Sequence, residues 1–230
     1  MAFKDWLNRT RAPAPAAAPV LASDELVPES GGGATPEERI DRRLRVYASF
    51  FGEPEAVSSE PDAEIPIAVH HLAPDTLRPF HTFVTSGMSD RPMNAPAQLG
   101  REVRRAELVF YAADDRPVYL DRLRQLALYP HEMNAWIHWG HTMPYGTPPV
   151  PLLGEGSLDH LLFMPTVVRP DADLGELLTF GGEPVNFLWV VPISAAECKV
   201  KVDQGVEALY ALFEQRKHPI AFDAGRKSYV

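Results

Sequence analysis

One run of nine residues constrains this 230-residue chain more than any other: VNFLWVVPI, residues 185–193. Asn186 is its one polar side chain, and β-branched and aromatic residues fill most of the rest, so it reads as a strand. A strand without a polar face is buried on both sides, which requires a sheet with cover above and below it.

The remaining sequence supplies the sheet and its cover. In TPEERIDRRLRVYASFFG (35–52), Thr35 and Glu38 have capping-box spacing and Pro36 holds the first helical position. Ile40, Leu44, Tyr47, Ala48 and Phe51 recur on one face, and Gly52 with Pro54 stops the helix. IPIAVHHL (65–72), FHTFVTSGM (80–88), RRAELVFYA (104–112) and DHLLFMP (159–165) predict strands. Tyr119, Leu123, Leu126 and Ala127 give a helical face over 118–128, with Pro130 expected to end it. LGELLTFGG (174–182) is a short element of ambiguous type closed by a Gly-Gly turn. SAAE (194–197) repeats the capping-box spacing and opens a helix predicted to reach about Gln215, with Val202, Val206, Leu209 and Phe213 inward. Gly205 inside it costs roughly 1 kcal/mol relative to Ala, so close packing is expected there. The order predicts one α+β domain over residues 35–217, a mixed β-sheet covered by helices.

Two tails flank it. Residues 1–34 are rich in Ala, Pro and Gly and predict a disordered segment, although Phe3, Trp6 and Leu7 would form one apolar stripe on a helix. Residues 218–230 read as a C-terminal tail. No apolar run approaches the roughly 18 residues of a membrane span, and none follows the first basic residue as a secretory signal requires. The single cysteine, Cys198, excludes an internal disulfide and a multi-thiolate metal site, so a reducing cytoplasm is expected. The net charge is −9, and residues 1–35 hold three bases and four acids, which leaves −8 to residues 36–230. Such a surface repels nucleic-acid phosphates and steers basic partners.

Chemistry concentrates in YPHEMNAWIHWGHTMP (129–144), with His131, His138, His141, Trp136 and Trp139. Three histidines and Glu132 are the ligand types of a catalytic zinc site. The spacing H-x6-H-x2-H is not H-E-x-x-H, which needs its histidines one helical turn apart, and Gly140 interrupts any helix here. No metal and no cofactor are therefore expected. Ser86 and Ser89 lack a nucleophile elbow, Cys198 has no evident base, and GGGAT (31–35) lacks the P-loop lysine, so no catalytic residue is assigned. Asp90 and Arg91 in MSDRPM (88–93) either bridge their own turn or face a partner. The Trp pair either packs in the core or anchors an interface, since Trp dominates binding hot spots. The candidate partner-binding residues are Asp90, Arg91, His131, Trp136, His138, Trp139 and His141.

TSGMSDRPM (85–93), RRAELVFY (104–111), LALYPHEMNAWIHWGHTMP (126–144), VNFLWVVPISAAE (185–197) and GVEALYALFE (205–214) together resemble the Suppressor of fused domain, in order and spacing, over roughly residues 40–214. The usage of Ala, Pro and Arg looks bacterial. The resemblance implies an α+β fold and no known catalytic activity. Animal members are two-domain regulators that clamp a peptide of Gli-type transcription factors by strand addition. This chain ends near where their second domain would begin, so the clamp does not carry over. Stand-alone bacterial members are mostly interpreted, from gene context, as immunity proteins that neutralise polymorphic toxins. The expectation is a cytoplasmic, non-catalytic protein-binding module of this kind, offering acidic patches to a basic toxin domain. Its alternatives are an adaptor that captures a peptide on a sheet edge and a hydrolase built on His131, His138 and His141. An acidic concave face would favour the first, a free edge beside an apolar groove the second, and a fully hydrogen-bonded histidine set would exclude the third. The sequence leaves the oligomeric state open.

Overall fold

A computed structural model, which describes residues 35–168, 171 and 174–230, places VNFLWVVPI in the longest strand. Eight strands form the sheet: β1 (Ala56–Ser58), β2 (Ala68–Leu72), β3 (His81–Ser86), β4 (Arg105–Ala112), β5 (Thr142–Pro144), β6 (His160–Pro165), β7 (Thr179–Phe180) and β8 (Glu183–Ile193). Their order is β1-β2-β3-β4-β8-β6-β5, with β7 paired to β8. Every pairing is antiparallel except β4 with β8, where Arg105 lies beside Val185 and Val109 beside Trp189. The helices are α1 (Pro36–Phe51), α2 (Val118–Glu132), α3 (Leu174–Leu177), α4 (Ala195–Gln204) and α5 (Val206–Gln215). This is a single α+β domain around a mixed sheet.

Strand alternation splits the core into two layers, as a double-sided sheet requires. Val109 and Tyr111 of β4, with Trp189 and Val191 of β8, pack under α1 and α5 against Val46, Tyr47, Leu209 and Phe213. The alternate residues Leu108, Phe110, Leu188 and Val190 pack under α2 against Tyr119, Leu123, Leu126 and Ala127. Both capping boxes form: the Thr35 and Ser194 hydroxyls accept from the backbone N–H of Glu38 and Glu197, whose carboxylates reach back.

Four expectations change. The last helix divides at Gly205, whose φ of +91° a helix cannot hold; the space beside it is open, so conformation and not packing explains the glycine. Val202 is accordingly exposed. On α1 the buried face is Arg43, Val46, Tyr47 and Phe51, while Ile40 and Leu44 remain exposed. Pro130 lies inside α2, which continues to Glu132 because one missing N–H near a helix end forfeits a single bond. Residues 218–230 are fastened to the body: Phe222 donates to the Tyr111 carbonyl (2.8 Å) and Arg226 pairs with buried Glu197 (2.7 Å). Residues 1–34, expected as a tail with Phe3, Trp6 and Leu7, lie outside the described residues. No helix among the described residues is long and apolar enough to cross a membrane.

Candidate protein-binding face

The face is assembled from the loop after β3 and the stretch after α2, and a buried carboxylate holds the loop. Glu107 of β4 is 0% exposed and accepts four hydrogen bonds, from Thr85 Oγ1 (2.7 Å), Gly87 N (3.0 Å), Ser89 N (3.1 Å) and Ser89 Oγ (2.6 Å). Burial pushes its carboxyl upward; the Arg43 guanidinium at 3.9 Å and the serine and threonine donors oppose that. Arg43, itself 1% exposed, also donates to Ser86 Oγ (2.8 Å) and Asp90 Oδ1 (2.7 Å). Gly87 has φ +120°, and a Cβ there would sit 2.5 Å from the Pro66 carbonyl oxygen, so the turn requires glycine.

This arrangement settles the geometry of Asp90 and Arg91. They do not bridge each other: Asp90 turns inward to Arg43, while Arg91 donates to the Glu64 carbonyl (3.1 Å) at the surface. Sequence reasoning missed Arg43 and Glu107, since a lone charge in an amphipathic pattern carries no mark of its distant partner.

The last turn of α2 docks onto this loop, and the stretch after it continues the face. His131 Nε2 lies 3.0 Å from the Met88 carbonyl, and because a carbonyl only accepts, Nε2 carries the proton. Ile137 is buried in the core, and Gly140 N donates to the Phe163 carbonyl (2.8 Å) as the chain turns into β5. Between these anchors Trp136 is partly buried, with its ring edge-on to His141 (4.3 Å). His138 lies at a tilt beside Trp139 (5.1 Å), and Trp139 is 49% exposed. Burial pushes all three histidines below their ordinary value; the charge of His141 adds to this at His138, and that of Lys201 at His141. Among the described residues these histidines do not converge as three metal ligands would.

Two concavities border the face. One of about 480 Å³ is rimmed by Arg91, Arg101, Arg104, Asn94, His131 and Asn134. Arg101, Arg104 and neighbouring Arg105 share one carboxylate, Glu183, at 2.9, 3.1 and 2.8 Å, so the rim keeps a cationic surplus. The other, about 240 Å³, lies beside β5 between Trp136, His141, Met143 and Lys201. β5 is the last strand of the sheet.

Comparisons with known proteins agree with this architecture. The family model for Suppressor of fused protein (SUFU) matches residues 63–227. Among solved structures, a SUFU homolog from Neisseria gonorrhoeae is 18% identical with a TM-score of 0.63, the match covering 84% of this chain and 98% of that one. A chain from the Sufu-Fu complex is 15% identical with a TM-score of 0.56, over 83% of this chain and 90% of that one. Drosophila Suppressor of Fused is 16% identical with a TM-score of 0.50, over 76% of this chain and 45% of that one. No curated protein sequence matches the chain.

Proposed function

The chain belongs to the Suppressor of fused family, and from that premise we propose a non-catalytic module whose protein partner docks around Trp139. One observation carries this reading: Trp139 exposes 49% of its surface on a loop pinned at both ends. A large indole already held in place loses little side-chain entropy on binding, and Trp is the commonest hot-spot residue. Met133, 62% exposed, extends the apolar surface in the same stretch. Trp136, His138 and His141 complete the anchor region, Arg91 and His131 form its rim, and Asp90 supports the rim from below. The solved Sufu-Fu complex, in which a family member holds a protein, supports the reading.

Within it, toxin neutralisation in a bacterial cytoplasm is the role we assign, with the net charge of −9 favouring a basic partner. The larger cavity is cationic and is not the acidic concave face expected for this role, so attraction of a basic partner rests on the overall charge alone. Peptide capture is the second reading, and β5 favours it: a sheet edge beside the apolar surface of Trp136 and Met143 is where an added strand would pair. Three residues ending in Pro144 would support only a short one.

The test is capture from the native cell, followed by kinetics with the purified partner. Trp139→Ala should raise the dissociation rate and cost roughly 2 kcal/mol or more of affinity, with the fold intact. Unchanged dissociation would refute this face as the docking surface.

A further inference from the structure

One group of ligand-type side chains lies away from the proposed binding face. His71 of β2 lies opposite Phe83 of β3, two residues from His81, so the two imidazoles are diagonal neighbours on the same side of the sheet. His71 Nε2 and His81 Nδ1 are 2.9 Å apart. Glu55, just before β1, places Oε2 3.8 Å from His71 Nδ1, the other ring nitrogen, so its carboxylate has to swing to meet an ion held between His71 Nε2 and His81; its backbone N–H donates to the His71 carbonyl (2.8 Å). One ligand atom from each of the three lies within 4.8 Å of the others, the one such group among the described residues.

We propose that Glu55, His71 and His81 bind a divalent transition metal of the zinc class, leaving a fourth position for water. Two nitrogens and a carboxylate oxygen are a ligand set that zinc accepts, whereas calcium and magnesium prefer oxygen alone. Nitrogens bound at about 2.0–2.1 Å to a tetrahedral centre stand roughly 3.4 Å apart, so the present pair needs to open by only about half an ångström. His71 is held for this task. Its ring stacks on Phe83 at 4.6 Å and 8°, and it is 6% exposed. Burial and the neighbouring His81 push its ring below the ordinary value, against the Glu55 and Asp115 charges. The Asp115 charge acts on the same ring and adds to the field that draws a cation. Glu55 is more than half exposed and free to close onto the ion. Binding would tie the edge strand β1 to β2 and β3, at the opposite end of the sheet from β5.

The experiment uses the full chain without an affinity tag, titrated with Zn(II) by calorimetry and with Co(II) by visible absorption. One equivalent should bind, with tetrahedral-type Co(II) bands, and Zn(II) should raise the thermal midpoint. Loss of a ligand should weaken binding by at least the 10- to 100-fold, roughly, that second-shell substitutions cost, in His81→Ala and independently in the exposed Glu55→Gln. The His138→Ala/His141→Ala double variant should bind as the parent does. Absence of binding at millimolar metal would overturn the proposal. So would undiminished binding in both ligand variants, or loss of binding in the double variant.

Discussion

Replacing Arg43 with methionine tests whether the loop that carries the proposed binding face rests on a buried charge network. The substitution keeps an unbranched apolar stem and removes the guanidinium. Glu107 then remains 0% exposed without the cation now 3.9 Å away. At an effective dielectric of about 20, a unit charge pair at that distance is worth about 4 kcal/mol. That matches the roughly 3–5 kcal/mol observed when one partner of a buried pair is deleted. Asp90, held by the same guanidinium at 2.7 and 3.2 Å, reaches water once Arg43 is gone, so its share of the loss is smaller than that of Glu107. Urea unfolding at neutral pH should therefore show a loss of about 4 kcal/mol, and the thermal midpoint should fall by about 8–16 °C. The pH dependence identifies the cause. Burial raises the Glu107 carboxyl in the folded state, and removing Arg43 raises it further. A raised folded value makes the ionised form costly, so the variant should regain ground on the parent as pH falls from neutral toward the ordinary 4.5. Arg43→Met/Glu107→Gln should recover more than about 1 kcal/mol in a double-mutant cycle. A loss below about 1 kcal/mol, flat with pH and without coupling, would refute the network as the support of the loop.

Three further outcomes can be checked by the same unfolding assays. Gly87→Ala combines a φ of +120° with a Cβ 2.5 Å from the Pro66 carbonyl; it should cost about 3 kcal/mol or more, and full stability would show that the turn tolerates a side chain. Burial depresses His70 to about 4 and His218 to about 3, from an ordinary 6.5. A depressed folded value gives stability that is present above 6.5 and drains as pH falls toward those values, so His218→Phe should flatten the acid limb, and an unchanged slope would exclude His218 as a contributor. Trp139→Ala should lose less than about 1 kcal/mol of stability, whereas a core Trp would cost roughly 3–5 kcal/mol.

What the sequence disclosed was whatever local chemistry decides. VNFLWVVPI has no polar face, and β8 lies between β4 and β6 with both sides covered. The two capping boxes need only residues three apart, and both formed. What it concealed depends on residues far away. Apolar periodicity placed Ile40 and Leu44 inward, yet Arg43 is buried because Asp90, 47 positions on, completes it. Val206 to Phe213 continue the helical period of the preceding residues, so nothing in the pattern reveals a left-handed Gly205 between two helices. The last thirteen residues look like a tail until Phe222 meets β4 and Arg226 meets Glu197. Glu55, His71 and His81 match no motif, because register across three strands, and not spacing along one, brings them together.

Burial divides the residues of the segments that carry the family resemblance into an inward set and an exposed set. Thr85, Gly87 and Ser89 direct their hydrogen bonds to Glu107, and His131 directs its proton to the Met88 carbonyl. Their polar groups are consumed inside the molecule, so they define how the loop after β3 meets the last turn of α2. Trp139, Met133 and Arg101 lie on the frame so made, with much of their surface still in water. A change in the first set moves stability directly and reaches binding only by displacing the loop. A change in the second leaves the fold standing and alters what the face can hold. The family resemblance therefore runs through both sets: the buried one builds the frame, and under the proposed function Trp139 and its exposed neighbours would select the partner.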